Sequence, residues 1–535
     1  MGDDGGLFVS LVDVGGIHAY ITAAPRLRAL SGASGRIARL NEADTFDLLA
    51  GCVGPSGNWT RGTGKWDLDP GASSIETSRD ADWEVIYSTG GTTIAVIRGR
   101  ERARIFCTAI ERHYWMQTGG LVVTAEYAPW DGRSSTFGAS LDCARTAVFE
   151  RKHAGGAHGE STAALFTEPH VAICDECGQH PAVGHRSLPD SKRRICRACE
   201  LRYEEAWVGD RDRTTWLESR VDQLLQGVDS VIRAASIDRL VPERGRIAVI
   251  AVDGNGTGAL LREAGVQGKD AYAQLSRQLI DRTRASLTAA LKEAKGGQAM
   301  VLIWGGDDVL FVVPAESGLQ AAGVYCETYA KGGPAGGATP NGARFSAAAG
   351  VVFAKPSFPF AMLADLAFEL MRNAKRAAKR ACPGAGAIDY ERVTAGTLGD
   401  LGDQRRAASW VSRAGMGRTR RQPFTRPFLV DATTNGLRQA ISLVHALDDA
   451  GMPWSKFLSL RDPGTHEGVL LRIGDGRLVK RLCFDRLPSG CRDALVKAGR
   501  AAVFEDLGAD PEDAAARAEG CSWPELAEIH QIIGR

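Results

Sequence analysis

Apolar and polar positions along the chain predict two similar series of elements. In residues 246–254 (RIAVIAVDG), an apolar, β-branched run ends in Asp-Gly, which predicts a buried strand followed by a turn. The elements predicted after it are a helix (about 271–294), a hairpin of two apolar runs whose tip reads GGDD, a helix (about 318–330), a strand (344–354) and a helix (360–380). The order β-α-β-β-α-β predicts a ferredoxin-like unit.

The first ~150 residues repeat this order and therefore indicate an internal duplication. LFVSLVDVGG reads as a strand, a helical stretch follows over about 17–41, and WEVIYSTGGTTIAVIRG reads as a hairpin with a Gly-Gly tip. Aligning the copies by eye pairs Asp13 with Asp253, Gly90 and Gly91 with Gly305 and Gly306, and Thr92 and Thr93 with Asp307 and Asp308. Only the second copy has carboxylates at its hairpin.

These patterns predict an α+β fold of two ferredoxin-like βαββαβ domains with further segments between and after them. The predicted domains are a degenerate first unit (1–165), a cysteine insertion with a helical linker (166–238), a second unit with the GGDD hairpin (239–398), and a linker with a C-terminal helical domain (399–535). Function should therefore concentrate where the two units differ.

Two adjacent aspartates in an apolar hairpin require a compensating charge, because buried carboxylates are costly and repel each other. Asp307 and Asp308, with Asp253 at the end of the neighbouring strand, predict one array of hard oxygen ligands suited to Mg²⁺ or Mn²⁺. Such an array favours nucleotidyl transfer, and Gly305 and Gly306 would let a triphosphate approach the backbone closely. A plain hairpin turn is the alternative, since Asp and Gly also favour turns.

A lysine after the last strand of the second unit is a candidate phosphate ligand. Lys375 lies on a predicted helix with other basic residues, where its ammonium could hold a triphosphate as a point charge. The alternative for its basic neighbours is a solvated helix face.

Four of the 12 cysteines predict a metal site. Cys174, Cys177, Cys196 and Cys199 form CDEC and CRAC with 18 residues between them, a spacing typical of a closed, structural zinc site. His180 and His185 lie in the loop and are surplus to four thiolates. Four unligated cysteines are the alternative.

Composition and charge mainly exclude some classes of protein. The 535 residues are 44% hydrophobic and 24% charged with a formal net charge of +1, so bulk charge does not indicate a polyanion binder. The N-terminus has no pattern of a secretory signal, and no apolar run approaches the ~18–20 residues of a membrane span, so we expect a cytoplasmic protein without membrane contact. Two basic clusters, 192–194 and 418–421, are either RNA contacts or solvated surface.

Together these motifs resemble the large polymerase-cyclase subunit of type III CRISPR effector complexes, a two-palm family that makes cyclic oligoadenylates from ATP. The resemblance covers nearly the whole chain. It rests on DVGGIHAYI with SGAS and YSTGG in a first palm, the cysteine insertion, GGDD and SAAAGVVFAKPSFPF in a second palm, and RPFLVDATTNGLRQAISLV before the C-terminal helices. GGDD alone is shared with diguanylate-cyclase palms, whereas the two-palm order with the insertion is more specific.

The resemblance implies roles for individual residues. Asp253, Asp307 and Asp308 would be metal ligands, with ATP held between the palms at the two glycine tips, and Ser346 would contact the base. Many family members have a second acidic residue before the asparagine at the strand end, where this chain has Gly254. No His-Asp dipeptide occurs and the first palm begins within ~10 residues of Met1, so cleavage of DNA by an HD nuclease domain is not expected.

The function predicted from the sequence is a nucleotidyltransferase that joins ATP into cyclic oligoadenylates. The resemblance implies that it works with effector subunits and guide RNA and is activated by target RNA. Two alternatives are a catalytically silent RNA-binding scaffold subunit and a stand-alone defence nucleotide cyclase. An intact GGDD favours the enzyme, because a scaffold gains nothing from uncompensated carboxylates.

Overall fold

A computed structural model of the chain describes most of residues 5–454 and two C-terminal helices. The described residues are 5–62, 66–69, 71–153, 172–188, 191–208, 211–226, 228, 232–233, 237, 240–241, 245–294, 297–332, 344–381, 384–393, 410–412, 419–421, 427–430, 436–454, 487–497 and 523–533. Within them, no helix combines the length and the apolar character that a membrane crossing requires.

The first unit is a four-stranded antiparallel sheet with helices around it. Its elements are β1 Leu7–Val14, α1 Ile17–Thr22, α2 Leu27–Arg39, a π-helical turn Leu40–Asp44, α3 Thr45–Cys52, a small hairpin β2 Trp59–Arg61 and β3 Trp66–Leu68, β4 Trp83–Thr89, β5 Thr92–Arg98, α4 Arg100–Thr118, β6 Val123–Trp130 and α5 Phe137–His153. The sheet order is β4-β5-β1-β6, which puts the two strands of the β4–β5 hairpin side by side and β1 at the centre.

The segment between the units adds a cysteine-bearing ribbon and two helices. Its elements are β7 Gly184–Leu188, β8 Ser191–Ile195, α6 Arg197–Ala206, β9 Trp207–Val208, β10 Arg211–Asp212, α7 Trp216–Leu224 and β11 Ile232–Arg233. Helix α7 begins with a capping box, in which Thr215 and Glu218 satisfy each other's backbone N–H groups. Strand β11 pairs in parallel with the second unit, so this segment joins both units.

The second unit repeats the first and extends its sheet. Its elements are β12 Ile247–Gly254, α8 Thr257–Gln267, α9 Lys269–Leu291, β13 Gln298–Gly305, β14 Asp308–Pro314, α10 Ala315–Lys331, β15 Ala347–Ala354, α11 Phe360–Ala381 and β16 Gly386–Arg392, followed by β17 Trp410–Ser412, β18 Thr419–Arg421 and β19 Phe428–Val430. The sheet order is β11-β13-β14-β12-β15-β16-β19. Helix α9 corresponds to the helix expected near 271–294, whereas α8 before it was not predicted. Gly268 (φ 129°) separates α8 from α9.

Three described helices follow, namely α12 Gly436–Asp449, α13 Ser489–Lys497 and α14 Trp523–Ile533. Buried apolar residues of α12 and α14 belong to the same core as the second sheet. Arg418 of the second basic cluster and large parts of the predicted linker and C-terminal helical domain (399–535) lie outside the described residues.

Strand registers confirm the duplication and correct our alignment of the hairpins by one residue. Both hairpins have an irregularity at the same place, between Val85 and Tyr87 and between Val301 and Ile303. Thr92 faces Thr89 in the first hairpin as Asp308 faces Gly305 in the second. Gly90 is therefore the structural equivalent of Gly306, Gly91 of Asp307 and Thr92 of Asp308. Each hairpin has a two-residue turn: Gly90 and Gly91 form the first, and Gly306 and Asp307 form the second.

The equivalence of Asp13 and Asp253 holds in the backbone that follows them. Gly16 and Gly256 precede the first helix of each unit in the same left-handed conformation, with φ 70° and 69°. Gly15 donates its N–H to the Val122 carbonyl (3.0 Å) as Asn255 donates to that of Ser346 (2.8 Å). The two strand ends therefore have one geometry and different side chains.

Candidate active site

Three carboxylates of the second unit lie at the same end of its sheet. Asp253 ends β12, Asp307 lies in the hairpin turn, and Asp308 begins β14. Burial, then the charges of Asp308 and Asp307, raise the pKa of Asp253 to about 7. Burial and the neighbouring Asp308 also raise the pKa of Asp307. Burial and mutual repulsion therefore outweigh the positive charge near these carboxyls, and a site of this kind suits a cation.

Two basic side chains contact these carboxylates. The Lys375 ammonium forms an ion pair with Asp253, and His18 of the first unit lies 3.7 Å (Nε2–Oδ2) from Asp308. Asp253, Asp307 and Asp308 do not bring their oxygens within 4.8 Å of one another, a distance that only the four cysteines meet among the described His, Cys, Asp and Glu residues. The carboxylates therefore fit a hard cation in chemistry and charge, while Lys375 now holds one of them.

The tips of the two hairpins touch. The Gly306 N–H donates to Thr89 Oγ1 across 2.8 Å, and a Cβ added to Gly90 would lie 3.2 Å from the Gly305 carbonyl oxygen. Gly90 (φ 61°) and Gly306 (φ 63°) also have left-handed backbone that other residues rarely adopt. The glycines that the sequence singled out therefore allow the two units to approach each other, and this contact was not foreseen.

A cavity of about 270 Å³ lies beside the touching tips, between the units. From the first unit it is lined by the β1–α1 turn with His18, by Ser34 of α2 and by Asn41 and Glu42 of the π-helical turn. From the second unit it is lined by Ile303 to Gly305 and by Asp308. It is mostly apolar with a few polar groups and two carboxylates, Glu42 and Asp308, which is the usual character of a small-molecule site.

Ser346 lies next to Asn255 at the end of β12 rather than on the hairpin. Asn255 Nδ2 donates to Ser346 Oγ (3.1 Å) and to the Ala385 carbonyl (3.2 Å), while the Asn255 side-chain oxygen is buried without a hydrogen-bond partner. Ser346 itself is 2% exposed. Its hydroxyl thus positions Asn255, and Asn255 has the free acceptor.

Sequence reasoning missed His18, Thr89 and Asn41 at this site. Each belongs to the first unit and meets the second only in the folded chain, so no local pattern predicts the contact. The one available signal is that His18 and Thr89 flank the glycine motifs DVGG and TGG.

The four cysteines predicted as a zinc site come together. Their sulfur atoms lie within 4.8 Å of one another, and Cys177 Sγ is 3.7 Å from Cys196 Sγ. A tetrahedral site with Zn–S bonds of about 2.3 Å has sulfur–sulfur distances of about 3.8 Å, so the cluster fits zinc. Arg202, 1% exposed, donates to Cys199 Sγ (3.3 Å) and to the Tyr20 carbonyl (2.7 Å), which joins the cluster to α1.

Comparison with known proteins identifies one part of the chain directly. Residues 246–382 match the family model of the Cas10/Cmr2 second palm domain. No curated protein matches the sequence.

Solved structures share the fold over nearly the whole chain. The Csm1–Csm4 cassette in complex with pppApA matches with a TM-score of 0.54, 12% identity, 99% coverage of this chain and 70% of that chain. The cassette in complex with one ATP matches with a TM-score of 0.52, and the cassette in complex with cA4 with 0.50, both at the same identity and coverage. At this identity the likeness establishes the fold alone.

Proposed function

We propose that this chain converts ATP into cyclic oligoadenylates in type III CRISPR defence. It is a Cas10-type large subunit with a Cas10/Cmr2 second palm at residues 246–382. The match agrees with the resemblance read from the sequence. We interpret the two units as ferredoxin-like palms, the first degenerate, within the four domains predicted above.

One observation carries this proposal. The carboxylate-bearing tip of the second palm meets the glycine tip of the first beside a cavity of about 270 Å³, and only the second palm has hairpin carboxylates. A nucleotidyl transfer needs one nucleotide held next to another with anionic ligands at the junction. The matched Csm1–Csm4 cassettes are in complex with pppApA and with one ATP, which supports the same substrate class here.

In this proposal Asp253, Asp307 and Asp308 hold Mg²⁺ or Mn²⁺, which would stabilise charge on the phosphate oxygens when bound. Gly305 and Gly306, with Gly90 and Gly91, give the triphosphate access to backbone without side-chain obstruction. Lys375 offsets the Asp253 charge and offers its ammonium to phosphate oxygens. Ser346 orients Asn255, and together they form the polar contact for a base.

Zinc held by Cys174, Cys177, Cys196 and Cys199 has a structural role in this proposal, because four thiolates leave no open position. The proposed partners are effector subunits, guide RNA and target RNA, in the cytoplasm. The Csm1–Csm4 cassettes support a subunit partner, since each of those structures is an assembly.

The test is a mass spectrum of the products formed from each nucleotide with Mg²⁺ or Mn²⁺, with and without the assembled complex and target RNA. We expect 3′-5′ linked adenylates, mainly cyclic, from ATP and only with target RNA. Activity without RNA would favour the stand-alone cyclase, and a guanine product would remove the assignment to ATP.

A catalytically silent scaffold is the second candidate. The observation in its favour is that Lys375 pairs with Asp253 and that the three carboxylates do not converge. No nucleotide product from the complete, target-bound complex would establish this alternative.

A further inference from the structure

The last side chain before the GGDD tip is held by a residue from outside both palms. Trp304, 8% exposed, lines the inter-palm cavity. The Arg220 guanidinium lies over its ring, 4.2 Å from the ring centroid. Such stacking of a planar cation on an indole fixes the rotation of both groups.

Arg220 is fixed in turn by a carboxylate of the first palm. It forms an ion pair with Glu42, whose other oxygen accepts a hydrogen bond from Trp216 Nε1 (2.9 Å). The side chains of Arg220 and Glu42 are only 24% and 22% exposed. A largely buried carboxylate with two donors is a rigid anchor.

Helix α7, which carries Arg220, is itself tightly seated between the palms. Leu217, Val221 and Leu224 are buried in the core that contains Trp304. Glu218 of the capping box also accepts a hydrogen bond from Ser31 Oγ of α2 (3.0 Å). The guanidinium is therefore placed by the segment that follows the cysteine cluster.

Glu42 belongs to a turn that contacts the first hairpin directly. It lies on the π-helical turn, a geometry that is rare and often found at functional sites. The neighbouring Asn41 carbonyl accepts a hydrogen bond from Ser88 Oγ in the first hairpin (2.7 Å). Arg220 thus completes a chain of contacts from one hairpin, through the turn and α7, to the other.

We propose that Arg220 is a positioning residue that sets the angle of the GGDD tip through Trp304. Gly305 and Gly306 have no side chains by which the core could hold the tip, so Trp304 is the last side-chain anchor before the carboxylates, beside the backbone hydrogen bond from Gly306 to Thr89. A displacement of α7, such as the binding of a partner to the insertion would produce, reaches Asp307 and Asp308 through this stack. The inference rests on the proposed function for its catalytic consequence, but not for the contact itself.

A double substitution separates positioning from folding. Arg220→Met with Glu42→Gln removes both charges, so that no buried charge is left unpaired, and also removes the stack. In the complete complex we expect kcat for oligoadenylate formation to fall about 10-fold to 100-fold, with KM for ATP changed less than about 3-fold. Arg220→Lys keeps the charge for Glu42 and loses the planar face, and it should lower kcat to an intermediate value.

The matched control is Arg102→Met with Asp82→Asn. That pair (2.9 Å) is also partly buried and links a helix to the first sheet, but it lies at the end of β4 away from the tip. We expect it to leave kcat within about 2-fold. A wild-type kcat in the Arg220→Met, Glu42→Gln complex, or an equal loss in the control, would overturn the inference.

A spectroscopic readout tests the contact independently of activity. With fluorotryptophan in the purified chain, Trp304→Phe identifies the Trp304 ¹⁹F resonance among those of the 11 tryptophans. Arg220→Lys should shift and broaden that resonance, and the Arg102 control should not. An unshifted resonance would refute the inference, whereas a complex that makes no product while the resonance shifts would refute the proposed function alone.

Discussion

The two palms have nearly the same backbone at the site and different chemistry. Both end their central strand in an aspartate, and both continue through a left-handed glycine into a helix. Both aspartates also pair with a lysine from the helix after the fourth strand, Asp13 with Lys152 (2.6 Å) and Asp253 with Lys375. The difference lies in the hairpin, where Gly91 and Thr92 take the places of Asp307 and Asp308.

This comparison teaches that the first unit has the backbone shape of the second without its hairpin charges. A glycine tip is needed where the palms touch, so the backbone of the first hairpin is constrained even without metal ligands. Asp13 is a single carboxylate that already pairs with Lys152, so it does not need a metal cation. The neutral hydroxyl of Thr92 cannot replace the anionic ligand Asp308 for Mg²⁺. The first palm can therefore shape the cavity while the second alone supplies the proposed chemistry.

The palms also differ at their sheet edges. In the second palm, β15 pairs with β16, which pairs with β19. The equivalent β6 is an edge strand in the first palm, where Ala125 donates its N–H to Glu111 (2.7 Å) and accepts from Arg151 (3.1 Å). The Glu111 and Arg151 side chains thus bind the Ala125 backbone N–H and carbonyl, groups of the kind that a neighbouring strand binds in the second palm. These contacts protect the edge from pairing with another strand.

The largest expected effect comes from removing the charges that distinguish the palms. Asp307→Asn with Asp308→Asn should reduce oligoadenylate formation by about 1,000-fold or more, because charge stabilisation is most of what such a site contributes. Thr92→Ala with Thr93→Ala should change the apparent affinity for ATP modestly and leave the Mg²⁺ dependence unchanged. Product formation over a Mg²⁺ titration measures both, and equal losses would abolish the distinction between the palms.

Metal removal should act on the first palm before the second. Structural zinc contributes on the order of 10 kcal/mol to the folding of small domains, and the cysteine-bearing helix α6 packs on α2. We expect about one zinc per chain, and Cys196→Ser should lower thermal stability through the first palm while leaving the carboxylates intact. Elemental analysis and calorimetry report this, and a zinc-free protein purified without chelator would contradict it.

A buried lysine of the second palm binds the first palm. Lys269 is 1% exposed, and its ammonium lies 2.8 Å from Ser74, Glu76 and Glu84 of the first palm. Lys269→Met leaves these carboxylates unpaired and should lower the free energy of unfolding by about 3–5 kcal/mol. Lys152→Met, which breaks a more exposed ion pair, should cost at most about 1 kcal/mol in the same denaturation experiment.

The ion pair of Lys269 with Glu76 predicts how the free energy of unfolding depends on pH. Burial opposes the charge on Glu76, but hydrogen bonds from Lys269 and Ser74 outweigh it and lower its pKa. Because the folded pKa lies below the unfolded one, the Glu76 contribution is present above about pH 4.3 and is lost as the pH falls further. Denaturation from pH 6 to pH 3 should show a smaller acid loss in Glu76→Gln than in the parent.

The smallest expected effect compares the equivalent lysines. Lys375→Ala should reduce product formation about 10-fold, since its ammonium is the proposed phosphate contact. Lys152→Ala should change product formation less than about 2-fold. The first palm has no hairpin carboxylates to bind metal and phosphate, so Lys152 stays paired with Asp13. Initial rates at saturating ATP distinguish the two, and a larger loss in Lys152→Ala would assign a phosphate to the first palm.

Local pattern predicted the repeated elements because they are long, apolar and bounded by glycines. It did not predict β16 or β19, which extend the sheet beyond the repeated unit; β19 has only three residues. The cysteine cluster followed from spacing alone, since four thiols in two CxxC pairs leave few other options. The pairing of Lys375 with Asp253 and the stacking of Arg220 on Trp304 depend on contacts between distant segments, which periodicity does not encode.

Helix α2 has a consequence for the order in which the chain is made. Every residue from Ala29 to Ala38 is buried, and a methyl group on Gly32 would lie 2.0 Å from the Arg202 carbonyl oxygen. During synthesis, this helix leaves the ribosome about 170 residues before α6 and far ahead of β13, which also contacts it. Until those segments are made, the apolar face of α2 stays exposed, a state in which chains tend to aggregate. Low temperature or a chaperone during expression should raise the soluble yield accordingly.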